Sequence, residues 1–365
     1  MILFNNFQAE PEDLISKEIE AATRVIKSGS YILGSELKNF ERRWGHYCGI
    51  NHAIGVANGM DAIEIGLRSL GIKAGDEVIT TAMTAYATVL AIVRVGAIAV
   101  FADIDPNTGL MSIKSAMGCI TKKTKAVLLV HLYGHMHDLT RWKFECSNRN
   151  IFLVEDCAQS HGAKWDGLSA GSFGEFGAYS FYPTKNLGAL GDAGAIITAS
   201  DAIEIKSRII LNYGQSERYH HPVQGVNSRL DEIQAAILVE RLNFLESFIK
   251  RRQEIAGAYR GHFKTSLIEN MSPADEFENH VYHLYVVKSP RRNELAEHLR
   301  ANGIASLFHY PIPAHRQQAN IVFRADPNGL RHTETHADVC LSIPCNPQMT
   351  NEEVGYVIDK INEFR

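Results

Sequence analysis

No block of lysines or arginines interrupts this sequence. Its 37 basic residues are scattered among 41 acidic ones for a formal net charge of -4, which leaves no electrostatic footprint for nucleic acid or an anionic membrane surface. No stretch stays apolar for the roughly 18 residues that a membrane span needs. The N-terminal "MILFNNFQAEPEDL" turns acidic before an apolar core of signal length develops. Cysteine is sparse and irregular: Cys48, Cys119, Cys146, Cys157, Cys340 and Cys345 form no CxxC pair and read as reduced thiols. Internal repeats and low-complexity segments are lacking too. The expectation is a soluble, cytoplasmic, globular protein whose partner is a small molecule, with no nucleic acid, membrane or metal involved.

What is present is pattern. At 365 residues and 45% hydrophobic content the chain can form one large domain and a smaller one. Strand-like runs "HAIGVA", "DEVITT", "AIAVFADI", "KAVLLVH", "IFLVED" and "GAYSFY" alternate with helical patterns, which argues for βαβ units and a mostly parallel sheet. "AGAIITA" follows so closely on the loop before it that an antiparallel placement is expected. From Glu232 a long amphipathic helix, "DEIQAAILVERLNFLESFIKRRQEIAGAYRGHF", is expected to link the two parts. Beyond it come a strand "HVYHLYVVK", a helix "RRNELAEHLRANG", a loop-rich stretch and a C-terminal helix. This predicts an α/β large domain over 1–245 and a small α+β domain over 246–365.

In open α/β sheets ligands sit beyond the carboxyl ends of the strands. "IFLVED" ends in Glu155 and Asp156, and "GAYSFYPTK" runs into Lys185, so an acid and a lysine should meet at one edge. In "VANGMDA" a strand hands over to a helix at Asn58, Gly59 and Met60, where outward-facing N–H groups can receive a phosphate. A phosphate seat, a strand-end aspartate and a lysine together meet the needs of pyridoxal phosphate. Tyr86, in "MTAYAT", is placed to stack on its ring.

The segments "NGMDAI", "GDEVI", "HLYG", "VEDCAQSHGA", "SFYPTKNLGALGDAGA" and "NSRLDEIQAAIL", in this order, resemble the DegT/DnrJ/EryC1/StrS family of nucleotide-sugar aminotransferases. The resemblance is strong over the first two thirds and looser after it. It implies the fold-type I, aspartate aminotransferase-like architecture with pyridoxal 5'-phosphate and a homodimer with shared active sites. Position by position, it makes Lys185 the Schiff-base lysine and Asp156 the partner of the pyridine nitrogen, with Gln159 on the ring hydroxyl. It gives the phosphate to the backbone of Gly59 and Met60 and to the Ser180 hydroxyl, the ring face to Tyr86, and a reach into the neighbour's phosphate site to Asn227. Met60 departs from the commoner threonine, which removes one hydroxyl contact. The lysine loop, with Tyr182 where C4-specific members carry histidine, and "HYP" at His309 and Tyr310 resemble members that aminate C3 of a 3-keto-6-deoxy sugar on dTDP. The implied reaction uses an amino-acid donor, L-glutamate, and a nucleotide sugar. Alternatives are amination at C4, a sugar dehydratase, in which a histidine typically replaces the lysine, and a non-catalytic regulator.

Taken singly, Lys185 would be a solvated loop lysine, Asp156 a helix cap and Tyr86 a core aromatic; their order along the chain favours the cofactor roles. "DIDPNTG" imitates a calcium loop, but Gly109 comes one place late and Lys114 stands where a glutamate is required. "HLYGHMH" offers His131, His135 and His137 with no acidic or cysteine partner spaced to complete a metal shell.

Overall fold

The computed structural model describes residues 1–271, 279–319 and 321–365. Seven strands expected from the sequence form most of one sheet: β1 (His52–Val56), β2 (Glu77–Thr81), β3 (Ile98–Ala102), β4 (Thr124–Val130), β5 (Phe152–Asp156), β6 (Gly177–Ser180) and β7 (Gly194–Thr198). An eighth, β8 (Phe323–Ala325), closes the order β1-β7-β6-β5-β4-β2-β3-β8. β7 runs antiparallel to both its neighbours, as its short approach loop requires, and the other pairings are parallel.

Alternation along the strands divides the core in two. Ile79, Val127 and Leu129 face one layer, which also holds Phe40, Trp44 and Leu238. Val78 and Leu128 face the other, with Ile63, Leu67, Val89 and Ile92. Both faces are therefore covered by helices, and the strands read as nearly continuous apolar runs. The helix Gly59–Ser69 starts where Asn58 Oδ1 accepts the Asp61 N–H at 2.9 Å, a side-chain cap that turns the chain out of β1.

A three-stranded antiparallel sheet, Glu269–Asn270, Tyr285–Lys288 and Cys340–Ile343, carries the helices Arg292–Ala301 and Asn351–Glu363. Two expectations are corrected here, and one strand crosses between the two parts. The long helix from Glu232 is two, Glu232–Arg241 and Leu245–His262, broken at 242–244, where Arg43 binds both the Val239 carbonyl and the Asn243 side chain. "HVYHLYVVK" is a strand only from Tyr285. Its first part crosses the Tyr133–Gly134 turn, with Val281 N–H on the Gly134 carbonyl and Leu284 N–H on that of Tyr133. Finally, β8 comes from within residues 246–365 yet pairs in parallel with β3.

Glu232 fixes the start of the helix Ser35–Cys48. Its buried carboxylate accepts the N–H groups of Gly34, Glu36 and Leu37 at 2.8, 2.9 and 3.0 Å, donors that the first turn of a helix leaves unpaired. Glu232→Ala is expected to destabilise the protein by about 3 kcal/mol by leaving one buried and two half-buried donors unsatisfied, with Glu232→Gln recovering part of the loss. The comparison of urea midpoints checks it.

Candidate functional site

The carboxyl edge of the sheet is pressed together around three glycines. A Cβ on Gly59 would stand 2.5 Å from Ser180 Cβ, and one on Gly194 would stand 2.4 Å from the Asn58 carbonyl carbon. The first turn of helix Gly59–Ser69 thus abuts the end of β6 and the start of β7. The N–H groups of Gly59 and Met60 have no acceptor within the helix and lie at its positive end. With the half-buried Ser180 hydroxyl beside them they form a cradle suited to a phosphate. In the lysine loop, Lys185 N–H meets the Tyr182 carbonyl at 2.9 Å and Ala189 N–H that of Phe181 at 2.7 Å. Gly188 lies so close to Pro183 that a Cβ would sit 2.3 Å from its carbonyl oxygen.

The loop delivers Lys185 to Asp156. Burial lowers the lysine's pKa to about 8, partly offset by attraction to Asp156. Burial raises the pKa of Asp156, against the Thr88 hydroxyl, the Ala158 N–H, Lys185 and His131, which all favour its anion. Thr88 Oγ1 donates to Asp156 Oδ2 at 2.8 Å and Ala158 N–H donates to Oδ1 at 3.1 Å. The aspartate therefore forms a local turn rather than a helix cap.

Gln159 is buried, its Oε1 accepting the Tyr133 N–H at 2.5 Å and its Nε2 donating to the Tyr310 hydroxyl at 3.3 Å. Burial, then the nearby Asp156 charge, pushes the Tyr310 phenol up to about 12. His309 bonds Ser342 Oγ through Nδ1 at 2.9 Å, and burial followed by the Lys185 charge lowers it to about 4. Tyr86 opens the helix Tyr86–Arg94, half-buried, with a hydroxyl that has no hydrogen-bond partner among the described residues. Tyr182 is 51% exposed. Asn227 is exposed and bridges to Asn212 at the end of helix Asp201–Leu211.

Two features escaped sequence reasoning. Thr88 was readable only as the residue two places beyond Tyr86. His131, Glu155 and Cys157 come together with donor atoms within 4.8 Å, so the fold supplies the acid and thiol that sequence spacing did not. The acceptor atoms of His131 and Glu155 are already engaged. Glu155 accepts the N–H groups of Gly171, Phe173 and Gly174 and bonds His131 Nε2 at 3.0 Å. His137 Nε2 accepts the Met111 N–H at 3.2 Å, so its proton is on Nδ1, which donates to His131 Nδ1 at 3.3 Å. His131 then carries its proton on Nε2, toward Glu155. Burial holds the Cys157 thiol well above its usual range. This cluster is a structural tie.

The arrangement fits pyridoxal 5'-phosphate on three grounds: a cradle that a Cβ at Gly59 would fill, an orphaned Tyr86 hydroxyl, and a near-neutral amine beside a buried carboxylate. Fold and site define a fold-type I, pyridoxal phosphate-dependent aminotransferase. The chain belongs to the DegT/DnrJ/EryC1/StrS aminotransferase family, whose profile matches residues 12–362. It is 38% identical over 364 residues, 99% of this chain and 95% of the relative, to the dTDP-3-amino-3,4,6-trideoxy-alpha-D-glucose transaminase of Streptomyces venezuelae. It is 41% identical over 349 residues, 95% of each chain, to the dTDP-3-amino-3,6-dideoxy-alpha-D-galactopyranose transaminase of Aneurinibacillus thermoaerophilus. A pleiotropic regulatory protein of Geobacillus stearothermophilus is 39% identical over 97% of this chain and 95% of its own. Among solved structures, S. venezuelae DesV in complex with a ketimine intermediate superposes with a TM-score of 0.95 at 38% identity, covering 99% of this chain and 98% of that one. NtdA from Bacillus subtilis with bound cofactor PMP gives 0.89 at 29%, covering 97% and 82%.

Only a free amine can attack the cofactor's aldehyde. With the pKa of Lys185 lowered to about 8, the free amine grows roughly tenfold per pH unit below that value and saturates above it. Cofactor uptake by the apoprotein, followed by the visible band, is expected to trace this curve. A rate still climbing tenfold per unit at about pH 9 to 10 would mark an ordinary lysine.

Proposed function

We propose that this chain transfers an amino group to C3 of a dTDP-linked 3-keto-6-deoxyhexose, with L-glutamate as donor, in deoxyamino-sugar biosynthesis. The observation that carries the reading is Lys185, its pKa lowered by burial to about 8, within electrostatic reach of the buried Asp156 beside the phosphate cradle, in a chain whose relatives include two dTDP-3-amino-sugar transaminases. The same lysine separates it from the dehydratase alternative, in which a histidine typically stands at that position.

When bound, the cofactor supplies an electron sink for the carbanion at the donor's α-carbon. Lys185 would hold it covalently and, as a free amine, would be the base that takes and returns the proton of the donor's α-carbon. Asp156 keeps the pyridine nitrogen protonated, which an amide in its place would not do. Gly59 and Met60 by backbone and Ser180 by hydroxyl hold the phosphate, Tyr86 covers the ring, and Gln159 meets the ring hydroxyl. Tyr182, His309 and Tyr310 line the sugar pocket. In this reading residues 1–245 bind the cofactor and 246–365 close over the sugar. The protein acts as a cytoplasmic homodimer, with Asn227 of the partner subunit reaching the phosphate.

Lys185→Ala should abolish both the visible band and turnover, and Asp156→Asn should keep cofactor but lose several orders of magnitude in rate. Product NMR after incubation of the pyridoxamine form with 3-keto and 4-keto dTDP-sugars tests the position of amination. A 4-keto isomer must bind shifted by about one ring carbon, a misplacement that costs roughly a hundredfold in rate. An amine found at C4 with the 3-keto sugar inert rejects the C3 reading. Mixed Lys185→Ala and Asn227→Asp subunits are expected to recover activity through the one site per heterodimer that keeps both native residues. No recovery after verified exchange means that each site is built from one chain.

A further inference from the structure

Asp156 receives one side-chain donor from a distant segment. Thr88, third residue of the helix Tyr86–Arg94 and 1% exposed, sends its hydroxyl to Asp156 Oδ2 at 2.8 Å. A threonine in a helix commonly turns its hydroxyl back onto a carbonyl of the preceding turn; this one reaches across to β5. Thr84, also buried, places its Oγ1 2.9 Å from Thr88 Oγ1. A carboxylate has no proton to give. The single Thr88 proton must therefore point at Asp156, and Thr84 must donate to Thr88. Two hydroxyls are thus polarised in one direction, toward the anion, from the first turn of a helix whose dipole acts in the same sense.

Among the influences that offset burial at Asp156, the Thr88 hydroxyl comes first, ahead of the Ala158 N–H, Lys185 and His131. Tyr310 feels the same carboxylate from the opposite segment. With Thr88 on Oδ2 and Ala158 on Oδ1, each oxygen has one fixed donor and the rest of its accepting capacity free.

We propose that Thr88 is a positioning residue for the transamination: polarised by Thr84, its hydroxyl fixes Asp156 as an anion in the orientation available to the cofactor's pyridine nitrogen. The proposal rests on the reading of Asp156 given above. It is tested on the holoenzyme by titrating the visible band with pH and by steady-state kinetics in Thr88→Val, Thr88→Ser, Thr84→Val and Asp156→Asn.

Thr88→Val keeps the shape and removes the donor. The band's midpoint should rise by about one pH unit, because a ring nitrogen that loses its proton leaves the lysine–cofactor nitrogen more basic. The kcat should fall roughly tenfold while both KM values stay within about threefold. Thr88→Ser should restore both readouts, and Thr84→Val should move the midpoint in the same direction by less. If Thr88→Val does not fold, Thr88→Ala replaces it with the same expected shifts. An unchanged midpoint and kcat in the folded donor-less variant, with Asp156→Asn moving both, overturns the role of Thr88 alone. If Asp156→Asn moves neither, the reading of Asp156 fails and the proposal falls with it.

Discussion

Withdrawal of water from the carboxyl edge of the sheet acts on two opposite charges at once. The same burial that raises the pKa of Asp156 lowers that of Lys185, because a low-dielectric surrounding disfavours whichever form is charged. Each group is then partly restored by the other, and Asp156 further by fixed donors. The surrounding architecture serves this balance. Helices on both faces keep the strands dry, and the glycine contacts at Gly59, Gly188 and Gly194 leave no room for side chains to intrude. The result is an amine whose pKa is brought down to about 8 beside an acid whose anion is supported by fixed donors.

Glu155 and Asp156 show how strand geometry separates two adjacent acids. Successive side chains on a strand point to opposite faces, so one carboxylate enters the ligand side and the other does not. Glu155 is consumed by three backbone N–H groups and His131, which ties the loop 171–174 to the end of β5. Asp156 is left with accepting capacity to spare. A Glu-Asp pair at a strand end thus divides the work between holding the loop and serving the site.

Much of this was legible in the sequence, for local reasons. Seven strands announce themselves as apolar, β-branched runs, and the antiparallel turn of β7 follows from the shortness of its approach. Lys185, Asp156 and Gly59 are legible because strand ends in such sheets face the ligand. What was hidden depends on distant pairing. β8 is only three residues long, with a charged Arg324 in the middle, and it is a strand because β3 offers an edge. The break at 242–244 belongs to contacts with Arg43, 200 residues away in the chain. Thr88 and the His131–Glu155 tie involve side chains whose partners no spacing rule connects.

The pairing of β8 with β3 has a mechanical meaning. Ala314 N–H binds the Ala82 carbonyl, Asp326 N–H that of Phe101, and Arg324 pairs with Glu77 at 2.8 Å. On the other side, Leu307 is bridged to Ser342 of the small sheet. The stretch bearing His309 and Tyr310 is therefore a strut pinned at both ends, one in each sheet. A pinned strut does not swing. Separating one sheet from the other as rigid halves would have to break the strand pairing at β8 or the bridge at Leu307.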